Sequence, residues 1–315
     1  MSPHAIEVDG LTKTFGNATP ALRGVSFSVP TGTVCGVLGH NGAGKTTTIN
    51  ILSTLIRPDA GRARVNGYDI LSEPAQVRAS IGMAGQFSAM DPLLNGWENL
   101  VLFGRLRGLG RKQAKARADE LIEQFELTDA AHRRASTYSG GMRRRVDLAI
   151  ALVVLPEVLF LDEPTIGLDP RSRRALWSLV SSMALQGVTV LLTTQYLEEA
   201  DLLSDSVVVI DQGQVIASGT AEELKRRAGA GYCQVTPANP ADLTQVAAAL
   251  TGLHGIDVDA DTNSVSVLAP DGVATLSEVF RRVDALGIEL MDISLRKPSL
   301  DEAFLHITER TVTQS

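Results

Sequence analysis

Between a short apolar run, Val34 to Leu38, and a helix-like stretch, Lys45 to Ile56, the chain reads Gly39-His40-Asn41-Gly42-Ala43-Gly44-Lys45-Thr46-Thr47. Strand, glycine-rich turn and helix in that order are half of a βαβ unit, which commits this part of the chain to an α/β sheet. The string matches G-x-x-x-x-G-K-[ST] in the context that motif requires. Its glycines let the backbone curl until successive N–H groups face one point at the positive end of the helix, a place suited to a phosphate. Lys45 can set its ammonium against the β- and γ-oxygens of a nucleoside triphosphate, and the Thr46 hydroxyl is placed to ligate Mg2+. ATP and Mg2+ are the expected cofactors, with residues 39–47 as the binding loop.

A second string, Val158-Leu159-Phe160-Leu161-Asp162-Glu163, reads as a buried parallel strand with two carboxylates at its carboxyl end. That edge is where α/β sheets bind ligands. Asp162 suits the Mg2+ shell, directly or through water, and Glu163 is free to polarise an attacking water. Val188 to Leu192 reads as a further strand, and Arg171 to Leu185 has helical spacing, giving a β-α-β crossover. Ala5 to Val8 and Val25 to Val29 alternate like antiparallel strands, and Val207 to Ile210 and Val215 to Ala217 flank a Gln212-Gly213 turn. Residues 97 to 126 take helical period, broken into two helices at Gly108 and Gly110. Past Ala228-Gly229-Ala230-Gly231 the pattern becomes β-α-β-β-α-β, which predicts a small α+β ferredoxin-like sandwich. The expected organisation is a nucleotide-binding domain over residues 1–228, its helical subdomain spanning about 88–155, and a C-terminal accessory domain over 229–315.

Bulk composition narrows the partners. With 315 residues, 44% of them apolar and 21% charged, the chain has enough material for a large domain and a small one. A net charge of −7 argues against a general affinity for nucleic acid, despite basic clusters at Arg133-Arg134, Arg143 to Arg145 and Arg226-Arg227. The two cysteines, Cys35 and Cys233, suit a reducing compartment rather than a disulfide framework. No basic, apolar and small-residue leader opens the chain, and the most apolar region, Leu148 to Leu161, is interrupted by Pro156 and Glu157. The expectation is a protein soluble by itself, whose membrane role would come through a partner.

Between the two strings stands Tyr138-Ser139-Gly140-Gly141-Met142-Arg143, which resembles the signature that defines ATP-binding-cassette (ABC) ATPases. Ser139, Gly140 and Gly141 would cap a helix and expose N–H groups as a second anion site. The resemblance covers roughly residues 5 to 225. It implies a P-loop NTPase cassette with a RecA-like parallel sheet core, an antiparallel β subdomain and a helical subdomain. It also implies ATP hydrolysis and a head-to-tail homodimer in which Ser139 to Met142 complete the opposite subunit's ATP pocket. By the same resemblance, Gln86 is the glutamine that senses Mg2+ and attacking water, Asp169 in Gly167-Leu168-Asp169 works across the dimer interface, and Phe15 stacks on adenine.

Three positions depart from the family's usual pattern. Gln195 replaces the switch histidine after Thr193-Thr194, Met142 stands where the signature commonly has Gln, and Tyr138 replaces a leucine. Glutamine can donate to a γ-phosphate and accept from water, but it takes up no proton near neutral pH. Gln195 is therefore expected to orient, with Glu163 as principal base. These departures, with Pro298-Ser299-Leu300-Asp301-Glu302-Ala303-Phe304-Leu305 in the tail, resemble the daunorubicin-resistance ATP-binding subunits of actinobacteria. That resemblance implies export of a hydrophobic drug, secondary metabolite or complex lipid through a separate integral membrane permease, from the cytoplasmic face of a bacterial membrane.

Phe87, Met90, Leu93, Leu94, Trp97, Leu100 and Phe103 make an apolar stretch that can receive a partner helix or form the core of the helical subdomain. Trp97 and Met90 are the expected coupling surface. Two other readings stand beside the transporter. A soluble ABC ATPase acting on ribosomes or DNA is disfavoured by the acidic charge, the single phosphate loop and the lack of sustained heptads. A non-hydrolysing scaffold would need damaged chemistry, and Lys45, Asp162 and Glu163 are intact.

Overall fold

Val34–Leu38, Val158–Asp162 and Thr189–Thr194 are buried at every position, as strands covered on both faces must be. In this computed structural model, which describes residues 3–16, 19–85, 89–227 and 231–304, they are the middle of a six-stranded sheet. Its order is Gln214–Gly219, Ser206–Asp211, Val34–Leu38, Thr189–Thr194, Val158–Asp162, Ile81–Ala84. The last five run parallel, and Gln214–Gly219 folds back antiparallel on Ser206–Asp211. Register brings Leu38 opposite Thr194 and Asp162 opposite Thr193, so the phosphate loop, the acidic pair and the residue before Gln195 leave the sheet at one edge.

A second sheet, ordered Leu22–Pro30, His4–Lys13, Ala60–Val65, Tyr68–Asp69, is antiparallel throughout. Its strands are longer than the alternation predicts because register shifts between Val8 and Leu11 interrupt the pattern without ending the pairing. Ile6, Leu11, Val25 and Val29 from this sheet share one core with Cys35 and Val37 of the central sheet and with Ile49 and Ile51 of the helix Lys45–Leu52. That helix stops at Leu52, short of the expected Ile56, where Thr54 adopts a left-handed backbone (φ 64°) ahead of Arg57-Pro58.

The helices Gly96–Leu106, Arg111–Gln124 and Gly140–Ala151 close around Leu100, Leu121, Ile122, Val146 and Leu148. Asn95 and Glu98 cap the first reciprocally, and Gly108 (φ 92°) turns the chain into the second. Met90 is buried in this core, so burial removes it from the expected coupling surface, while Leu93 beside it is exposed. Trp97 is half-buried and its Nε1 donates to Asp119 at 2.7 Å.

Contacts divide the chain into Met1–Ala221 and Glu222–Ser315, which places the helix Ala221–Arg227 largely with the second unit, ahead of the composition shift at residue 228. In that unit the strands lie in the order Asp257–Asp259, Ser264–Ala269, Gly231–Pro237, Leu290–Arg296, each antiparallel to its neighbours. The helices Leu243–Ala249 and Val273–Asp284 cover it through Val246, Val279 and Val283 against Cys233, Val235, Val265 and Val267. This is the ferredoxin-like order that β-α-β-β-α-β predicts. Cys35 and Cys233 are both buried free thiols.

Candidate active site

The phosphate loop is built tightly from behind and left open in front. A Cβ at Gly39 would lie 2.3 Å from the Ile210 carbonyl oxygen, and one at Gly44 2.8 Å from that of Ala21, so neither position tolerates a side chain. Gly44 (φ 112°) also starts the helix Lys45–Leu52 in a left-handed conformation, which glycine adopts at least cost. His40, Asn41 and Gly42 are exposed, whereas Ala43, Gly44 and Lys45 are buried and Thr46 and Thr47 half-buried. The turn after Ser206–Asp211 braces the loop: Gly213 N donates to Ala43 O at 2.9 Å, and His40 Nε2 lies 2.6 Å from Asp211 Oδ1. This brace was not anticipated from sequence, because its two halves are 171 residues apart.

Lys45 Nζ donates to the carbonyls of Gly39 at 2.7 Å and His40 at 3.2 Å, and stands 3.3 Å from Glu163 Oε1. Asp162 accepts from Thr46 Oγ1 at 3.2 Å and from Thr193 Oγ1 at 2.5 Å. Adjacent oxygens around a six-coordinate Mg2+ lie about 3 Å apart, so Thr46 and Asp162 fit two neighbouring positions on one ion. Among the described residues no group of three or more His, Cys, Asp or Glu forms a metal cluster. Glu163 has a left-handed backbone (φ 48°), and its N–H donates to Thr193 at both the carbonyl and Oγ1. Such a conformation on a non-glycine residue costs about 1–3 kcal/mol and persists only where neighbours hold it.

Two groups behind the acidic pair extend what the motifs alone reveal. The Arg144 guanidinium donates to Gly85 O at 2.5 Å, Pro164 O at 2.9 Å and Asp162 O at 3.0 Å. Burial lowers its affinity for the proton, opposed by the negative charge of Asp147, Asp162 and Glu199. Glu199 is fully buried and accepts from Thr165 Oγ1 and Trp177 Nε1, each at 3.2 Å. Burial pushes its carboxyl above the ordinary value, and hydrogen bonds from Thr194, Trp177 and Thr165 pull the other way.

The remaining expected residues surround this centre unevenly. Gln195 is exposed just past Thr189–Thr194. Phe15 is half-exposed at 49%, with Lys13 Nζ 5.7 Å from its ring centroid, and Lys13 is held by Asp59 at 2.8 Å. Ser139 caps the helix Gly140–Ala151 by accepting from Met142 N at 3.2 Å. Asp169 caps Pro170–Leu185, accepting from Arg171 N, Ser172 N and Ser172 Oγ, and the Ser172 bonds hold its carboxyl below the usual range. An Asp-Pro pair at a helix start could have signalled that cap. Gln86 and Phe87 lie outside the described residues. Tyr138 is buried, with its hydroxyl donating to Ala130 O at 2.7 Å and accepting from Gly96 N at 3.0 Å.

A parallel sheet that gathers a phosphate loop, a threonine–aspartate pair and a second carboxylate at one edge, beside a separate antiparallel sheet, defines an ABC-type ATPase cassette. Residues 22–166 match the family model described as ABC transporter. The chain is 55% identical over 309 residues to the doxorubicin resistance ATP-binding protein DrrA of Mycobacterium tuberculosis, covering 96% of this chain and 93% of the relative. It is 52% identical over 308 residues to the daunorubicin resistance ATP-binding protein DrrA3 of Streptomyces coeruleorubidus, covering 98% and 97%. A solved ATP-binding subunit of an ABC transporter superposes with a TM-score of 0.65 at 30% identity, covering 70% of this chain and 92% of that one. The chain belongs to the ATP-binding subunits of ABC transporters and hydrolyses ATP, and its likeness to the drug-resistance branch runs through the C-terminal unit.

Proposed function

We propose that this chain energises export of a hydrophobic drug, secondary metabolite or complex lipid through a separate integral membrane permease. Two copies would act together at the cytoplasmic face of the membrane. The observation that carries the hydrolytic reading is the juxtaposition of Thr46, Asp162, Glu163 and Lys45 at one sheet edge. The names of the drug-resistance relatives support the cargo class, and the names of the Nod factor export relatives support the outward direction. Among the described residues no helix is long and apolar enough to cross a membrane.

The loop N–H groups and Lys45 bind the triphosphate, and Phe15 offers its exposed ring to the base. Thr46 and Asp162 would hold Mg2+, and the family resemblance would add Gln86 to them. Such an ion would supply positive charge against the triphosphate. Glu163 takes the proton of the attacking water, and Gln195 orients that water against the γ-phosphate. Among the described residues nothing lies within 4 Å of a Cβ built on Gly140, and on Gly141 only Leu168 Cδ2 does, at 3.8 Å. Among the described residues neither glycine is needed for packing, which favours close approach by the opposite subunit's nucleotide to Ser139, Gly140, Gly141 and Met142. Asp169 then serves the dimer interface as well as its own helix.

A tagged Glu163→Gln chain, recovered from detergent-solubilised membranes of its host, tests the assembly. A polytopic membrane protein in about equal amount is the expected companion. Recovery with ribosomes or DNA, or alone in the soluble fraction, would favour the soluble ABC ATPase instead.

A further inference from the structure

We infer that Arg144 is a positioning residue for hydrolysis, fixing the backbone on both sides of Glu163 from the helix that Ser139 caps. The inference rests on the reading of Glu163 as the base. Asp162 O and Pro164 O, the carbonyls that flank Glu163, each accept from a different nitrogen of the one guanidinium, at 3.0 and 2.9 Å. Because the guanidinium is a rigid plane, it sets those two carbonyls at a fixed separation, which a flexible ammonium cannot do. Glu163 between them has the left-handed backbone that needs such restraint. The third carbonyl, Gly85 O at 2.5 Å, precedes Gln86, so the same plane also joins the chain leading into that segment.

Arg144 therefore ties two separate pieces of chain, Gly85 and the turn from Asp162 to Pro164, to one point on the helix Gly140–Ala151. It lies outside the Ser139–Met142 string, about 7.5 Å along the helix from Ser139. A displacement of that helix start, where a nucleotide from the opposite subunit would press, reaches the Glu163 turn through this side chain. Thr193 holds the same turn from the opposite side, through the Glu163 N–H. The carboxylate's place thus depends on two clamps, one on the central sheet and one on the helical lobe.

The test is a double-mutant cycle in the full-length chain with Arg144→Lys and Glu163→Gln, following ATP turnover, KM and thermal unfolding. Arg144→Lys is expected to lower kcat at least about tenfold and to leave KM for ATP within about threefold. In the Glu163→Gln background the same substitution is expected to cost nothing further, since the group it positions is already disabled. Arg144→Gln, whose amide can donate to one of the flanking carbonyls, should fall between wild type and Arg144→Ala. Wild-type kcat in Arg144→Lys beside an inactive Glu163→Gln would overturn this inference alone. Losses that multiply in the double variant would overturn it too, making Arg144 a general support of the fold. Wild-type turnover in Glu163→Gln would remove the base reading, and this inference with it.

Discussion

Lys45 and Glu163 face each other beside the phosphate loop, Nζ to Oε1 at 3.3 Å, with side chains only 4% and 8% exposed. In the proposed mechanism, the ammonium meant for the phosphates is thus held by the carboxylate meant for the water. On that reading, nucleotide binding would separate the two and release the carboxylate.

Replacing Glu163 with Gln removes the charge that holds Lys45 back while keeping the side chain's shape. Turnover is expected to fall by about a hundredfold or more, and ATP should bind more tightly than to wild type. Phosphate release and a nucleotide-binding titration would check both. Weaker binding in the variant would show that the pair does not oppose the nucleotide.

Gln195 carries no proton to exchange near neutral pH, so its contribution is one of direction. Gln195→Ala is expected to cost at least about tenfold in turnover, with ATP binding retained. Gln195→His should restore turnover and add a pH dependence centred near the histidine range of about 6.5. A flat profile between pH 5.5 and 8 would indicate that position 195 stays away from the γ-phosphate.

Tyr138 joins the start of one helix to the carbonyl of Ala130 through its hydroxyl. Tyr138→Phe leaves a buried N–H and a buried carbonyl without that oxygen, and should cost about 1–3 kcal/mol in denaturant unfolding. Gly96→Ala is expected to do similar damage, because its Cβ would lie 2.6 Å from the Tyr138 hydroxyl. A Phe variant as stable as wild type would mean that water replaces the hydroxyl at both groups.

Glu199 gives a pH dependence whose sign is fixed by its burial. Its carboxyl is raised above 4.5, chiefly by loss of solvent, with Arg173 the nearby cation pulling it down. The folded chain therefore keeps this proton to higher pH than the unfolded chain does. The stabilisation is complete below pH 4.5 and is lost as pH rises through the folded value. Glu199→Gln has no such slope, so its stability relative to wild type should improve from pH 4.5 toward neutrality. Denaturant midpoints for both chains across that range would check it, and a constant difference would show that Glu199 ionises as easily folded as unfolded.

The parts legible in the sequence are those written in contiguous strings. Gly39 to Thr46 and Val158 to Glu163 announce themselves because one loop and one strand end supply all their members. The C-terminal order was legible for a similar reason, since each strand and helix there occupies its own short segment. What stayed hidden is assembled across distance. Asp211 meets His40, Arg144 meets Gly85 and Pro164, and Glu199 meets Thr165 and Trp177 only after the sheet has closed. Periodicity also overran the helix after the loop to Ile56, since a left-handed Thr54 leaves no mark in an apolar pattern. Met90 was misplaced because an apolar residue beside a surface loop looks the same whether it points in or out.

The brace behind the phosphate loop has a consequence for how the chain is made. Val34–Leu38 sits between Thr189–Thr194 and Ser206–Asp211, and His40 waits for a partner 171 residues further on. At ribosomal speed that wait is roughly ten to thirty seconds. During it the loop's strand has both edges bare, and nucleotide has no finished cradle through which to steady the emerging chain. The cassette is thus born with its phosphate loop unbraced, and ligand can help it only once Ser206–Asp211 has left the ribosome.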